Sequence, residues 1–304
     1  MAESRDILVT GAAGQVGLAL TRLAWPEPFR LVAPTRAELD LSDASGVRRF
    51  LEGRAFAAVI NPAAYTAVDK AESEPAQAFA VNATAPALLA EACRAADVPL
   101  VHVSTDYVFD GAADRPYREE DAVGPLGVYG ASKLAGELAV RSIQPRSVIL
   151  RTAWVVGPDR SNFLKTMLRL AETRDTLNVV ADQRGCPTAA ADIAAALRTV
   201  TLRMIAEPEA PSGVFHFAGA GETTWAEFAE AIFAASAEQG GPSAEVRPIT
   251  TAEYPTPARR PANSRLDCGR ILHAYGIEPR DWRAATAEIT AEVLRDVLKE
   301  GETR

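Results

Sequence analysis

The apolar run Asp6-Ile7-Leu8-Val9-Thr10 leads directly into Gly11-Ala12-Ala13-Gly14-Gln15-Val16-Gly17, and this junction constrains the fold more than any other stretch. An apolar run this short reads as a buried strand. The residues that follow, Gln15 to Leu23, have a helical pattern, so the glycines join a strand to a helix. Glycines there permit a tight turn, a close backbone approach to a pyrophosphate, and close helix-strand packing. The helix N-terminus adds free N–H groups. The placement predicts a dinucleotide-binding βαβ unit, with Gly11, Gly14, Gln15, Val16 and Gly17 around the phosphates.

Further strands are expected at 29–33, 57–61, 100–104 and 147–151, and a helix over 75–96 with Pro75 in its first turn. Strands alternating with helices predict an α/β fold: a Rossmann-like, doubly wound parallel sheet with helices on both faces. Ligands of such sheets bind beyond the carboxyl ends of the strands. After residue 155 the pattern loosens. Helices are expected at 189–205, 225–237 and 282–299, a strand at 213–217 that rejoins the main sheet, and irregular chain over the Pro- and Thr-rich 242–261. The expected division is a cofactor domain over 1–155 and a smaller C-terminal α/β substrate domain over 156–304. The second domain is discontinuous if 190–218 packs back on the first.

A net charge of −8 without a basic run argues against a nucleic-acid partner. No apolar stretch reaches membrane-spanning length, and the N-terminus lacks a signal pattern. The scattered Cys93, Cys186 and Cys268 fit reduced thiols in a cytoplasm, and the dispersed His102, His216 and His273 suggest no metal site.

Tyr129-Gly130-Ala131-Ser132-Lys133 places a phenol and an ammonium four residues apart, hence side by side on a helix. A nearby positive charge favours the phenolate and is expected to bring the Tyr129 pKa towards neutrality, suiting proton exchange with a carbonyl or alcohol. Thr105, at the end of the 100–104 strand, is expected to hydrogen-bond the same carbonyl. Arg36 follows the second strand by a few residues, where a basic side chain accommodates the extra phosphate of NADP. Glu38 and Asp40 stand close enough to compete, and a plain solvated arginine is the structural alternative.

The Gly-x-x-Gly-x-x-Gly spacing, the segment Asn61 to Glu72, Ser104-Thr105-Asp106-Tyr107-Val108-Phe109-Asp110-Gly111, Tyr129 to Glu137, Arg151-Thr152-Ala153-Trp154 and Arg260 to Leu266 together resemble the extended short-chain dehydrogenases/reductases. Within that superfamily they resemble most the dTDP-4-dehydrorhamnose reductase family. The resemblance spans nearly the whole chain and implies a Thr105-Tyr129-Lys133 triad in which Lys133 also holds the nicotinamide ribose. It implies Asp40 and Leu41 near the adenine, and Ala63, Ala64 and Tyr65 along the cofactor. Val68, Asp69, Tyr107 and Trp154 would surround the deoxysugar with Thr105 and Tyr129.

The activity it implies is reduction of the C4 ketone of dTDP-4-dehydro-L-rhamnose to dTDP-L-rhamnose by NADPH, with NADH left open as a second donor. Rival readings are a related reductase of antibiotic deoxysugars, such as dTDP-dihydrostreptose synthase, and a non-catalytic NADP-binding regulatory subunit. The intact Thr105, Tyr129 and Lys133 argue against the last. A sugar-nucleotide dehydratase would carry Asp-Glu after the threonine, where this chain has Asp106-Tyr107. The chain departs from the family at Pro62 and Val156. Ala19 and Ala189-Ala190-Ala191 lack the carboxylates of a metal-bridged dimer, which leaves monomer or homodimer as the expectation.

Overall fold

Six short strands with apolar side chains on both faces build a parallel sheet, because such strands are stable only when helices cover both sides. In the computed structural model, which describes residues 5–302, the chain runs β1 (Arg5–Val9), α1 (Gln15–Arg22), β2 (Phe29–Val32), α2 (Ala44–Leu51), β3 (Ala58–Asn61), α3 (Val68–Ala71), α4 (Pro75–Phe79) and α5 (Ala85–Ala96). It continues through β4 (Leu100–Thr105), α6 (Val128–Ile143), β5 (Ser147–Thr152), β6 (Val155–Val156), α7 (Phe163–Ala171), β7 (Thr176–Val180), β8 (Arg184–Gly185), β9 (Thr188–Ala189) and α8 (Ala190–Ala206). It ends with β10 (Gly213–His216), β11 (Thr223–Thr224), α9 (Trp225–Ala237), β12 (Glu245–Ile249), α10 (Gly269–Tyr275) and α11 (Trp282–Glu302).

The main sheet has the order β10-β5-β4-β3-β1-β2, parallel throughout. One face packs Ile7, Val9, Ile60 and Val101 against Leu20 of α1 and Ile193 and Leu197 of α8. The other packs Leu8, Val59 and Ile149 against Leu89 of α5 and Val140 of α6. A separate core joins α7, α9 and α11 around Phe228, Ile232 and Trp282. Among the described residues no helix is long and apolar enough to cross a membrane, and no three His, Cys, Asp or Glu gather as metal ligands.

Two expectations are corrected. Residues 242–261 are not all irregular: Glu245–Ile249 is a strand pairing in parallel with β7. It lies in a two-stranded ladder, is largely exposed and contains Pro248, so it carries neither an apolar alternation nor an uninterrupted donor row. The segment 75–96 is not one α-helix, since a π-helical turn over Ala80–Thr84 separates α4 from α5. Pro86 accounts for part of this, because it has no N–H for the carbonyl one turn before it, that of Asn82. Gly136 of α6 packs against that carbonyl oxygen, where a Cβ would sit 2.1 Å away.

Helix α6 is tied to β5 by Glu137 and Arg151, whose side chains are 1% and 3% exposed. Arg151 Nε and Nη2 donate to the carboxylate at 2.9 and 2.6 Å. Breaking a buried pair strands a charge without water, at a cost of about 3–5 kcal/mol. Glu137→Ala is therefore expected to lose stability on that scale in urea unfolding, and a loss under about 1 kcal/mol, the range of exposed pairs, would show that water reaches Arg151.

Candidate active site

The carboxyl ends of β1, β2, β3, β4 and β5 open on one cavity of about 1280 Å³. Its floor is the turn between β1 and α1. Gly11 has φ +60°, and a Cβ there would lie 2.7 Å from Ala63 Cα; at Gly17 a Cβ would lie 2.3 Å from the Gly11 carbonyl oxygen. Bare backbone is thus the only solution at both positions. No side chain caps Gly14 at the helix start and no acidic residue occupies the first turn of α1, so its N–H groups face the cavity unopposed. Cradle, volume and free amides fit a dinucleotide, with Gln15 and Val16 in the same wall.

At the cavity's far rim stand Arg36, Asp40 and Leu41. Both competing acids are engaged by their own loop. Glu38 accepts from Thr35 N at 2.7 Å and Thr35 Oγ1 at 2.8 Å. Asp40 accepts from Ser42 N and Oγ at 2.9 and 2.7 Å, which holds its carboxyl below the usual range. Arg36, 78% exposed, has a long 3.5 Å contact to Asp40 and projects its remaining donors outward.

The opposite wall carries Thr105, Tyr107, Tyr129, Lys133 and Trp154. Tyr107 and Tyr129 meet edge to face at 5.4 Å. Thr105 Oγ1 donates to Asp106 at 3.0 Å and accepts from Tyr107 N at 3.2 Å, so the hydroxyl is held rigidly. Asp106 is buried, and burial pushes its carboxyl up to about 6.

The electrostatics correct the expectation for Tyr129. Burial raises the phenol well above its ordinary range, and the hydrogen bond with Thr105 opposes this. Helical spacing made the two residues neighbours, but Lys133 turns inward: Nζ donates to the Val103 carbonyl at 2.7 Å and lies 3.3 Å from His102 Nε2. Burial lowers the lysine to about 8. Burial thus favours the protonated phenol, the opposite direction to the one the spacing suggests.

Of the other residues implied by resemblance, Ala63, Ala64, Tyr65 and Val68 line the cavity, whereas Asp69 does not. Asp69, whose side chain is 41% exposed, binds Arg260 Nη2 at 2.6 Å, and Arg260 Nη1 lies 3.4 Å from the Tyr107 hydroxyl. Trp154 is expected to lay its ring on a sugar, but one face already stacks on Trp225 at 3.6 Å. Its backbone has φ +47°, in the left-handed region.

Three contributors carried no sequence signal that points to the site. Asn82, in the π-helical turn, accepts from Tyr65 N at 2.7 Å and donates to Tyr65 O and Ser132 Oγ at 3.1 and 3.0 Å, bracing the wall. Arg160 reaches back 147 residues so that Nε donates to the Ala13 carbonyl at 2.6 Å over the phosphate cradle. His102 is buried in β4 behind Lys133. Arg36→Ala is expected to weaken NADPH roughly tenfold to a hundredfold, as for a lost charged hydrogen bond, with NADH little changed in fluorescence titrations. Equal losses for both would place the extra phosphate elsewhere.

Residues 5–295 match the family described as "RmlD substrate binding domain". The dTDP-4-dehydrorhamnose reductase of Sinorhizobium fredii is 48% identical over 289 residues, covering 95% of this chain and 97% of that protein. Among solved structures, a dTDP-4-dehydrorhamnose reductase from Clostridium acetobutylicum is 37% identical with a TM-score of 0.87, covering 97% of this chain and 99% of that one. The Bacillus anthracis reductase in complex with NADP is 32% identical with a TM-score of 0.86, over 95% and 99% of the two chains.

Proposed function

This chain belongs to the dTDP-4-dehydrorhamnose reductase family, and we propose on that footing that it reduces the C4 ketone of dTDP-4-dehydro-L-rhamnose to dTDP-L-rhamnose with NADPH. The observation that carries the reading is one cavity in which a phosphate cradle on β1 faces Thr105 and Tyr129 at the end of β4 and the start of α6.

Gly11, Gly14, Gln15, Val16 and Gly17 hold the diphosphate, Arg36 the extra phosphate, and Ala63, Ala64 and Tyr65 the length of the cofactor. The bound nicotinamide supplies the hydride. Thr105, positioned by Asp106 and the Tyr107 amide, turns its single hydroxyl proton from Asp106 to the C4 oxygen when the substrate is bound. Tyr129 retains its proton until charge develops on that oxygen and then transfers it, the alkoxide being the stronger base of the two oxygens. Lys133 serves the ribose from its buried station. Holding both reactants in one oriented cleft supplies much of the rate. Tyr107 with Arg260, Val68 and the exposed part of Trp154 border the sugar, Asp69 acting through Arg260. The cofactor unit is 1–155 and the substrate unit 156–304; in support, β10 pairs with β5 and α8 packs on α1, so 190–218 returns to the first unit. We place the reaction in the cytoplasm.

Tyr129→Phe should bind NADPH normally and lose about 10²–10⁴ in turnover, followed by reduced-nicotinamide absorbance with the product identified by NMR. Wild-type turnover in that variant would remove Tyr129 from the reaction, and absence of dTDP-L-rhamnose with the unaltered enzyme would remove the substrate assignment.

A further inference from the structure

We propose that the buried chain Thr10-Asn61-His102-Lys133 is a reversible hydrogen-bond wire through which His102, as a positioning residue, couples the proton on Lys133 to the root of the dinucleotide loop. The relevance to turnover rests on the reading of Lys133 given above; the wire itself does not.

All four side chains are sealed from water, Thr10 and Lys133 at 1% exposure and Asn61 and His102 at 0%. Thr10 Oγ1 donates to Asn61 Oδ1 at 2.6 Å, Asn61 Nδ2 lies 3.0 Å from His102 Nδ1, and His102 Nε2 lies 3.3 Å from Lys133 Nζ. Thr10 immediately precedes Gly11, and Asn61 ends β3 beside the Ala63 wall.

Counting donors gives the chain two states. With the Asn61 amide nitrogen towards His102, Nδ1 must be the acceptor, so the single imidazole proton sits on Nε2 and points at Lys133. Only a neutral amine can accept it. An ammonium has donors alone and needs a lone pair on Nε2; the proton then moves to Nδ1, and Asn61 must turn its oxygen to His102 and its nitrogen to Thr10. Amide oxygen and nitrogen are nearly the same size, so this inversion leaves every heavy atom in place.

Burial drives His102 well below its ordinary range, with Lys133 acting in the same direction, so the ring holds one proton throughout. Lys133, lowered to about 8, changes state just above neutrality. The ionisable groups on the elements packed around it are Tyr129, Glu137 and Arg141 on α6, His102 on β4, Asp106 and Tyr107 after β4, Asp69 and Lys70 on α3, Glu72 and Glu74 beside α3 and α4, Glu91, Cys93 and Arg94 on α5, and Arg151 on β5. Of these, Glu137 favours the lysine charge, and it is itself engaged by Arg151.

The test is histidine ¹⁵N NMR on the full-length chain, with His102→Phe identifying the signal among three histidines. In the unaltered protein, His102 is expected to carry its proton on Nδ1 below the Lys133 transition and on Nε2 above it. One tautomer at every pH overturns the proposal, whatever the enzyme turns over. Kinetics supply the second measurement. A lysine needed as ammonium supports activity below its pKa, and activity falls as pH rises through it. The ionised side chain of Asn61→Asp can only accept, which fixes Nδ1–H and moves the alkaline fall of kcat/KM up by about one pH unit. His102→Phe removes the acceptor and moves it down. Coincident falls in all three proteins would overturn the coupling, because a merely structural His102 alters activity without displacing the fall in opposite directions.

Discussion

A charge pair with almost no access to water decides where the reactive helix lies. Glu137 and Arg151 join α6 to β5 through converging hydrogen bonds, and Arg151 also lies 5.0 Å from the centre of the Phe109 ring. Such a pair gains little net stability over a well-packed apolar contact, but it tolerates only one register, because any slip leaves a charge buried alone. Tyr129 and Lys133 lie two turns and one turn before Glu137 on the same helix, so their height above the sheet follows from that register. The orientation of Tyr129 is inherited from an interaction in the core.

The cavity itself follows from strand order. β1 lies between β3 and β2, and the chain leaves β1 in one direction to β2 and in the other towards β3, β4 and β5. Loops on the two sides of that reversal diverge and leave a crevice, as in other doubly wound sheets. What closes it comes from far along the chain. Arg160 reaches the cofactor loop, Gln15 accepts from Asn162 at 2.9 Å, and Arg260 reaches the Tyr107 wall. The second half of the molecule thus grips the first at the Gly11–Gly17 end of the cavity as well as at the Tyr107 end.

How far the sequence could be read tracks the range of the physics involved. The Gly11–Gly17 turn, the sheet strands and the adjacency of Tyr129 to Lys133 are local and were legible. The direction of the Tyr129 shift was not, because spacing places two side chains side by side without saying which one faces solvent or what else the lysine can reach. Val103 O and His102 belong to a different element, 30 and 31 residues away. Asp69 resembled a cavity residue by motif, but its partner Arg260 lies 191 residues on. Strand β12 carries no strand signal in the sequence, because an exposed two-stranded ladder needs no apolar alternation.

The π-helical turn has a consequence for how this chain can vary in length. A π turn holds one more residue than an α-helix needs for the same path, and here the surplus places Asn82 against Tyr65 and Ser132. Deleting any residue in 80–84 would restore a regular helix along the same path, but it would remove the surplus that presents Asn82 to Tyr65 and Ser132. Tyr65 would then lose the amide that holds both its backbone groups. Chain length is therefore constrained here through Asn82, in a helical turn that touches no reacting atom.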